Sequence, residues 1–456
     1  MKRIIWVTVV IITIGIIAGI LAKQAFKLPE HPGMILEEKE EEEVKKEEVI
    51  VGYGWSIKPD TSRAINEAIN KLKLSFTDKS PEYLILFSNA NYDSGKIIKE
   101  IIKTWPEIQI YGGTSSGAVM TRDGFHKGGL ALMGIYSEHI DFGVGGTDIT
   151  GIGAEEAGKR AIQLAIKNAG REGEIPDMVL MTGSVGNEEN ILSGIEEVIG
   201  KEIPIIGGSA GDNDLSGKWQ QFANKDIYKN GVALTAIFTD LTIGWAFEAG
   251  YHKTIKEGII TKASGRIIYE IDNRPAAEVY NEWTNGLIQE ELEKGGPVLA
   301  KTTFYPLAKL VSRKGGEIRY LSIHPLEVNI NLKEVNFPSK SLTVFANVKT
   351  GERIMLMQGN WELLLNRCHT TPSNALESKN VGKNQGYFAI YTYCAGTMLA
   401  IPEEQRSKMP VLVRNTIGPA VPFIGTFTLG EQGFLAEVGN KHGNLVNSMI
   451  VFAPAK

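Results

Sequence analysis

The sequence predicts an α/β N-terminal domain built from a duplicated strand-helix-strand unit, followed by an α+β C-terminal domain and preceded by one N-terminal transmembrane helix. Three observations predict this. The segment Ile108-Gln109-Ile110-Tyr111-Gly112-Gly113-Thr114-Ser115-Ser116-Gly117 returns as Ile203-Pro204-Ile205-Ile206-Gly207-Gly208-Ser209-Ala210-Gly211-Asp212. Fully apolar runs, Tyr83 to Phe87 and Met178 to Met181, precede the two copies at matching spacing. Residues 4–22 form an apolar run flanked by Lys2, Arg3, Lys23 and Lys27, about the length that crosses a bilayer.

The anchor is read as retained, because no pair of small residues near its end fits a signal-peptide cleavage site. The basic residues before it narrowly outweigh those after it, which orients the N-terminus to the cytoplasm and the body outside. Residues 23–49 form a charged tether. Its stretch 37–48 carries eight Glu against three Lys, which accounts for the whole net charge of −5. The remainder is near neutral and lacks the basic excess that nucleic-acid binding requires. A chain of 456 residues with 43% hydrophobic content buries a sizeable core in more than one domain. Two cysteines, Cys368 and Cys394, are too few for a disulfide scaffold or a cysteine-based zinc site. They are either two core thiols or one disulfide.

The first globular domain spans residues 50–250. A strand opens at Val49, and Thr61 caps a helix with apolar positions Ala64, Ile65, Ala68, Ile69 and Leu72. In the first copy Asp93 or Ser94 caps a helix whose apolar face is Ile97, Ile98, Ile101 and Ile102; in the second, Ile191, Leu192, Ile195, Val198 and Ile199 have the same role. A helix over residues 154–169 joins the copies. Strands apolar on both faces and separated by helices imply a sheet covered on both sides.

The turns carry the chemistry. Glycine leaves room for close backbone approach, while Thr114, Ser115, Ser116 and Ser209 offer hydroxyls, and Asp212 and Asn213 add acceptors and an amide. Gly112, Gly113, Gly117, Gly207 and Gly208 complete two loops suited to a small polar ligand. A tight turn with locally satisfied hydroxyls is the competing reading. Gly113-Thr114-Ser115-Ser116-Gly117 also matches the G-x-S-x-G nucleophile elbow, which would make Ser115 an acyl acceptor in a serine hydrolase. The elbow needs a helix directly after the serine, whereas a polar, Gly-terminated loop follows, and the second copy has Ala210 at that position.

The second domain spans residues 251–456. Strands are expected at Ile259, at Arg266 to Ile271, at Val344 to Val348, at Ile354 to Gln358, at Phe388 to Cys394 and at Asn447 to Phe452, with helices near residues 275–287 and 361–368. The order of the two Gly-Gly turns, Cys394-Ala395-Gly396, Gly425-Thr426-Phe427-Thr428-Leu429-Gly430-Glu431 and Asn447-Ser448 resembles the FIST family. That resemblance implies a non-enzymatic sensory module for a small amino-acid-like molecule, and adds Cys394, Gly396 and Glu431 to the ligand-binding set. Thr397 stands where the family pattern often has a basic residue. Because some relatives bind haem as gas sensors, His126, His369 and His442 are the candidate axial ligands, although no His or Cys spacing motif supports a cofactor. No kinase, phosphodiesterase, methyl-accepting coiled coil or DNA-reading segment is read after the binding modules, so the protein is expected to act through a separate signalling protein or as a solute-capturing protein.

Overall fold

The computed structural model describes residues 49–311, 319–330, 340–436 and 438–456. The expected anchor and nearly all of the tether lie outside these residues. Among the described residues no helix is long and apolar enough to cross a membrane.

The predicted duplication is there, and a third copy accompanies it. Unit I contains β1 (Val49–Ser56), α1 (Thr61–Lys73), β2 (Tyr83–Asn89), α2 (Ser94–Thr104), β3 (Gln109–Ser115), the hairpin β4 (Ala118–Thr121) and β5 (Gly124–Lys127), and β6 (Leu130–Ser137). Unit II repeats the order with β7 (Ile140–Asp148), α3 (Ala154–Asn168), β8 (Met178–Gly183), α4 (Glu188–Ile199), β9 (Ile205–Ser209), β10 (Gln221–Ala223), β11 (Asp226–Tyr228) and β12 (Gly231–Thr239). Unit III opens with β13 (Thr242–Glu248) and is then interrupted. Nine strands, from β14 (His252–Ser264) to β22 (Arg353–Gln358), form a separate sheet with the short helices α5 (Ala276–Trp283), α6 (Gln289–Lys294) and α7 (Leu299–Thr302). The unit resumes with α8 (Trp361–Glu377), β23 (Phe388–Cys394), α9 (Ala395–Ala400), α10 (Glu403–Arg406), α11 (Lys408–Ile417), β24 (Phe423–Thr428), β25 (Glu431–Leu435), β26 (Gly439–Gly443) and β27 (Asn447–Ala453).

Each unit places two parallel strands side by side: β2 with β3, β8 with β9, β23 with β24. An antiparallel strand flanks each pair, and each unit sends its hairpin to a neighbour. β4 joins β24, β10 joins β3, and β25 joins β9. The exchange closes in a cycle and builds three six-stranded sheets with the same strand order. The sheets therefore interleave the chain on either side of residue 250.

Alternation along the strands explains the layers. In β2, Ile85 and Phe87 face a core shared by all three sheets, with Leu180, Ile206, Ile390 and Ile450, while Leu84 and Leu86 pack on α1 and α2 with Ile65, Ile69 and Ile98. Helix α2 starts where Asp93 accepts from the Lys96 amide at 3.1 Å. Helix α1 is capped by Asp60, whose carboxylate accepts from Arg63 N at 2.9 Å, rather than by Thr61, whose hydroxyl instead accepts from Asp93 N. The expected helix at 361–368 continues to Glu377 through Pro372. Cys368 and Cys394 are both free thiols.

Candidate functional site

Register fixes which residues of the three units correspond. Leu86 lies beside Gly112, Met181 beside Gly207, and Tyr391 beside Gly425. The first two glycines are required by crowding: a Cβ would come within 1.8 Å of Leu86 O at Gly112 and 1.9 Å of Met181 O at Gly207. Gly113 and Gly208 are pressed from the neighbouring unit, where a Cβ would meet Thr182 Cγ2 at 2.7 Å and Thr428 Cγ2 at 2.5 Å. Gly112 and Gly207 are thus crowded by the neighbouring strand of their own sheet, and Gly113 and Gly208 by side chains of the next unit.

The strand ends then close a ring of backbone hydrogen bonds. Gly211 N donates to Thr114 O at 2.9 Å, Leu429 N to Ser209 O at 3.0 Å and Ser116 N to Phe427 O at 2.9 Å. Three of the predicted contact hydroxyls make hydrogen bonds within the fold here. Thr114 Oγ1 accepts from Gln220 N at 2.9 Å, and Ser209 Oγ donates to Glu188 Oε1 at 2.8 Å. Ser115 is fully buried; its hydroxyl accepts from Phe427 N at 2.8 Å and donates to Ala118 O. The strand β4 follows Ser115, with no helix of the nucleophile-elbow kind. The turns do converge, and Gly112, Gly113, Thr114, Ser115, Gly207, Gly208 and Ser209 lie in the joint between the units rather than in the lining of the cavity beside it.

Beside the ring lies a cavity of about 90 Å³ at the carboxyl ends of the parallel strands, lined by Ser116, Asp212, Asn213, Cys394 and Gly396 of the predicted set. In α/β sheets this is the end at which ligands bind. Ser116 Oγ donates to Asp212 O at 2.6 Å, and Gly117 N donates to Asn213 Oδ1 at 3.0 Å, which ties the two turns together. The Asp212 carboxylate accepts from Leu215 N at 2.7 Å and Lys218 N at 2.8 Å.

Glu431 stands behind this wall and is fully buried. It accepts from Thr428 Oγ1 at 2.8 Å and Val446 N at 3.1 Å, and burial pushes its carboxyl up to about 8. The Cys394 thiol hydrogen-bonds to it. Burial pushes that thiol up as well, so neither group is primed as a nucleophile.

Sequence reasoning missed the roof. Leu299, at the start of α7, and His324 and Phe345, in connections of the inserted segment, reach the cavity, as does Asn444 from the loop before β27. His324 Nε2 lies 3.0 Å from Leu299 O, and burial lowers its pKa to about 3. Leu215 and Leu399 form a rim, 44% and 58% exposed. Their partners are distant in sequence, so local patterning carried no signal for them.

The roof is fastened to unit II. Arg266 Nη2 lies 2.7 Å from Glu188 and 2.8 Å from Glu189, and Asn347 N donates to Glu189 at 2.7 Å. Glu188, Glu189 and His442 also bring three potential metal-ligand atoms within 4.8 Å, but the Arg266 guanidinium already supplies the counter-cation. Of the haem candidates, His126 is stacked on Trp55 at 3.8 Å, His442 packs against Gln432 and Phe345 O, and His369 faces Thr416. None of the three lines the cavity. A larger open cleft, about 360 Å³, lies at the opposite pole, where Asp177 accepts from Thr239 N and Lys379 sits over Trp245.

The molecule is a mixed α/β protein with a roofed cavity at the carboxyl end of parallel strands, lined by apolar and polar groups that include the Asp212 carboxylate. The chain belongs to the FIST family: the FIST N domain model matches residues 82–274 and the FIST C domain model residues 276–434. FIST domains are generally sensory, small-ligand-binding signalling domains. An uncharacterized protein of Methanocaldococcus jannaschii is 32% identical over 106 residues, 23% of this chain and 20% of that protein. The chain thus spans about a fifth of the length of that relative. Among solved structures, a cyanuric acid hydrolase from A. caulinodans aligns with 7% identity and a TM-score of 0.36 over 89% of this chain and all of its own. A second cyanuric acid hydrolase structure aligns with 9% identity and a TM-score of 0.33, over 89% of this chain and 99% of its own. At these scores the likeness carries no argument about activity.

Proposed function

We propose that the protein is a sensory module that captures a small polar molecule of amino-acid size in the roofed cavity and passes the signal to a separate protein. In this reading residues 4–22 tether it to a membrane and the body lies on the extracytoplasmic side. The observation that carries the binding role is the cavity itself: two glycine-hinged turns, the end of β23 and the inserted roof meet around one hollow. The tether rests on the apolar run and its basic flanks.

Binding is favoured over turnover by the state of Ser115, whose hydroxyl is engaged on both sides within the fold. A serine nucleophile needs a free hydroxyl facing substrate and a base within hydrogen-bond reach.

Thermal unfolding of the full chain with a panel of amino acids and related metabolites tests the proposal. A binder raises the midpoint by mass action. Leu399→Trp, at the exposed rim, should abolish that rise while leaving the unliganded midpoint unchanged. A panel without effect, or a rise that survives Leu399→Trp, would remove the cavity from the account.

A further inference from the structure

Resting on the binding role just proposed, we infer that the cavity selects an uncharged guest: a small molecule with an apolar body and one neutral hydrogen-bond-donating edge such as an amide N–H. Carboxylates, phosphates and ammonium ions are rejected.

The wall composition leads there. Among the described residues no lysine or arginine lines the cavity, so an anionic guest finds no counter-ion there. The nearby guanidinium of Arg266 is committed to Glu188 and Glu189, and that of Arg367 donates to Leu445 O within the core. A cationic guest fares no better. Among the described residues Asp212 is the one carboxylate in the wall, and its two oxygens are held by the amides of Leu215 and Lys218, with Ser216 Oγ at 3.5 Å. It closes its own loop. An anion entering this space would lose water without gaining a partner, and a cation would meet only the Asp212 carboxylate, already engaged by two backbone amides.

What the wall does offer is neutral. With its Nε2 hydrogen directed to Leu299 O, the His324 ring leaves Nδ1 as an uncharged acceptor. Burial keeps that ring neutral and Glu431 protonated through most of the physiological range. The Asn213 amide is engaged with Asn89, Asn91 and Gly117; Ser116 Oγ, whose hydrogen goes to Asp212 O, remains an acceptor, and Phe345 and Leu299 supply an apolar surface. Few polar groups on a mostly apolar lining suit a neutral ligand whose orientation is set by one or two hydrogen bonds. This narrows the amino-acid-like expectation: a free zwitterion carries both charges that the wall cannot meet.

The test uses isosteres that differ in charge alone. Benzamide, benzoate and benzamidine form one triad; isobutyramide, isobutyrate and isobutyramidine form another. Each is titrated into the full chain near neutral pH by calorimetry and by thermal shift. The amide of at least one triad should bind about tenfold or more tightly than either charged partner. A charged member binding as well as its amide would overturn the inference and leave the cavity as a binding site. If no member of either triad binds, the inference also falls, and the broader metabolite panel then decides the binding role separately. Leu399→Arg, placed at the exposed rim so that the fold is retained, adds the missing cation and should raise benzoate affinity about tenfold relative to benzamide. An unchanged ratio in that variant would count against the inference.

Discussion

At the end of the first parallel strand of each unit one position is occupied in three ways. In unit I it is Asn89, locked to Asn213 by two side-chain hydrogen bonds of 2.7 and 3.1 Å. In unit II it is Ser184, whose hydroxyl donates to Gly231 O at 3.0 Å. In unit III it is Cys394, which backs onto Glu431 and faces the cavity. Two of the strand ends are closed by polar pairs and one is left open under a roof that only unit III carries. Among the described residues the repeated scaffold thus gains one roofed cavity by insertion and by leaving one of its equivalent positions facing a hollow.

The comparison is broken most severely by cutting the chain. Ending it at residue 250 removes β24 from beside β4 and β25 from beside β9, and the product should show no cooperative unfolding transition by circular dichroism. Next come the crowded glycines. Gly207→Val forces a side chain into Met181 O and should cost more than about 4 kcal/mol in chemical denaturation, whereas Gly425→Ala, whose Cβ meets nothing closer than 3.2 Å, should cost far less.

Glu431 sharpens the contrast through pH. Its carboxyl is raised from an ordinary 4.5 to about 8, so the folded state keeps a proton that the unfolded chain releases between those values. Stability should therefore fall as pH rises across that window and level off above it, by on the order of a few kcal/mol in all. Glu431→Gln should flatten the slope. Ser115→Ala leaves Phe427 N without its acceptor and Ala118 O without its donor, and should lower stability by about 2 kcal/mol. The smallest effect on stability belongs to Leu399→Ser at the rim, within about 0.5 kcal/mol, although it should weaken any ligand that calorimetry detects.

The repeated Gly-Gly turns, the parallel strands apolar on both faces and most of the helices were legible in the sequence, because each rests on local periodicity or on crowding that only glycine tolerates. The third unit was not. Residues 252–358 separate its first strand from the rest, and Thr426 and Phe427 stand where the other units have Gly113-Thr114 and Gly208-Ser209, which hides the repeat. The hydroxyls of Thr114, Ser115 and Ser209 suggested ligand contacts, but their partners Gln220, Phe427 and Glu188 come from elsewhere in the chain. Of the predicted set, Ser116, Asp212, Asn213, Cys394 and Gly396 do line the hollow, while the roof was beyond the reach of local pattern.

The traded hairpins also impose an order on synthesis. β4, with Ala118, Val119 and Met120 wholly buried in the finished protein, leaves the ribosome long before β24, the strand it must join. Through most of translation that apolar edge has no mate, and unpaired edges of this kind invite aggregation. A holding chaperone, or slow elongation late in the message, would matter more to the yield of this protein than to one whose sheets are completed locally.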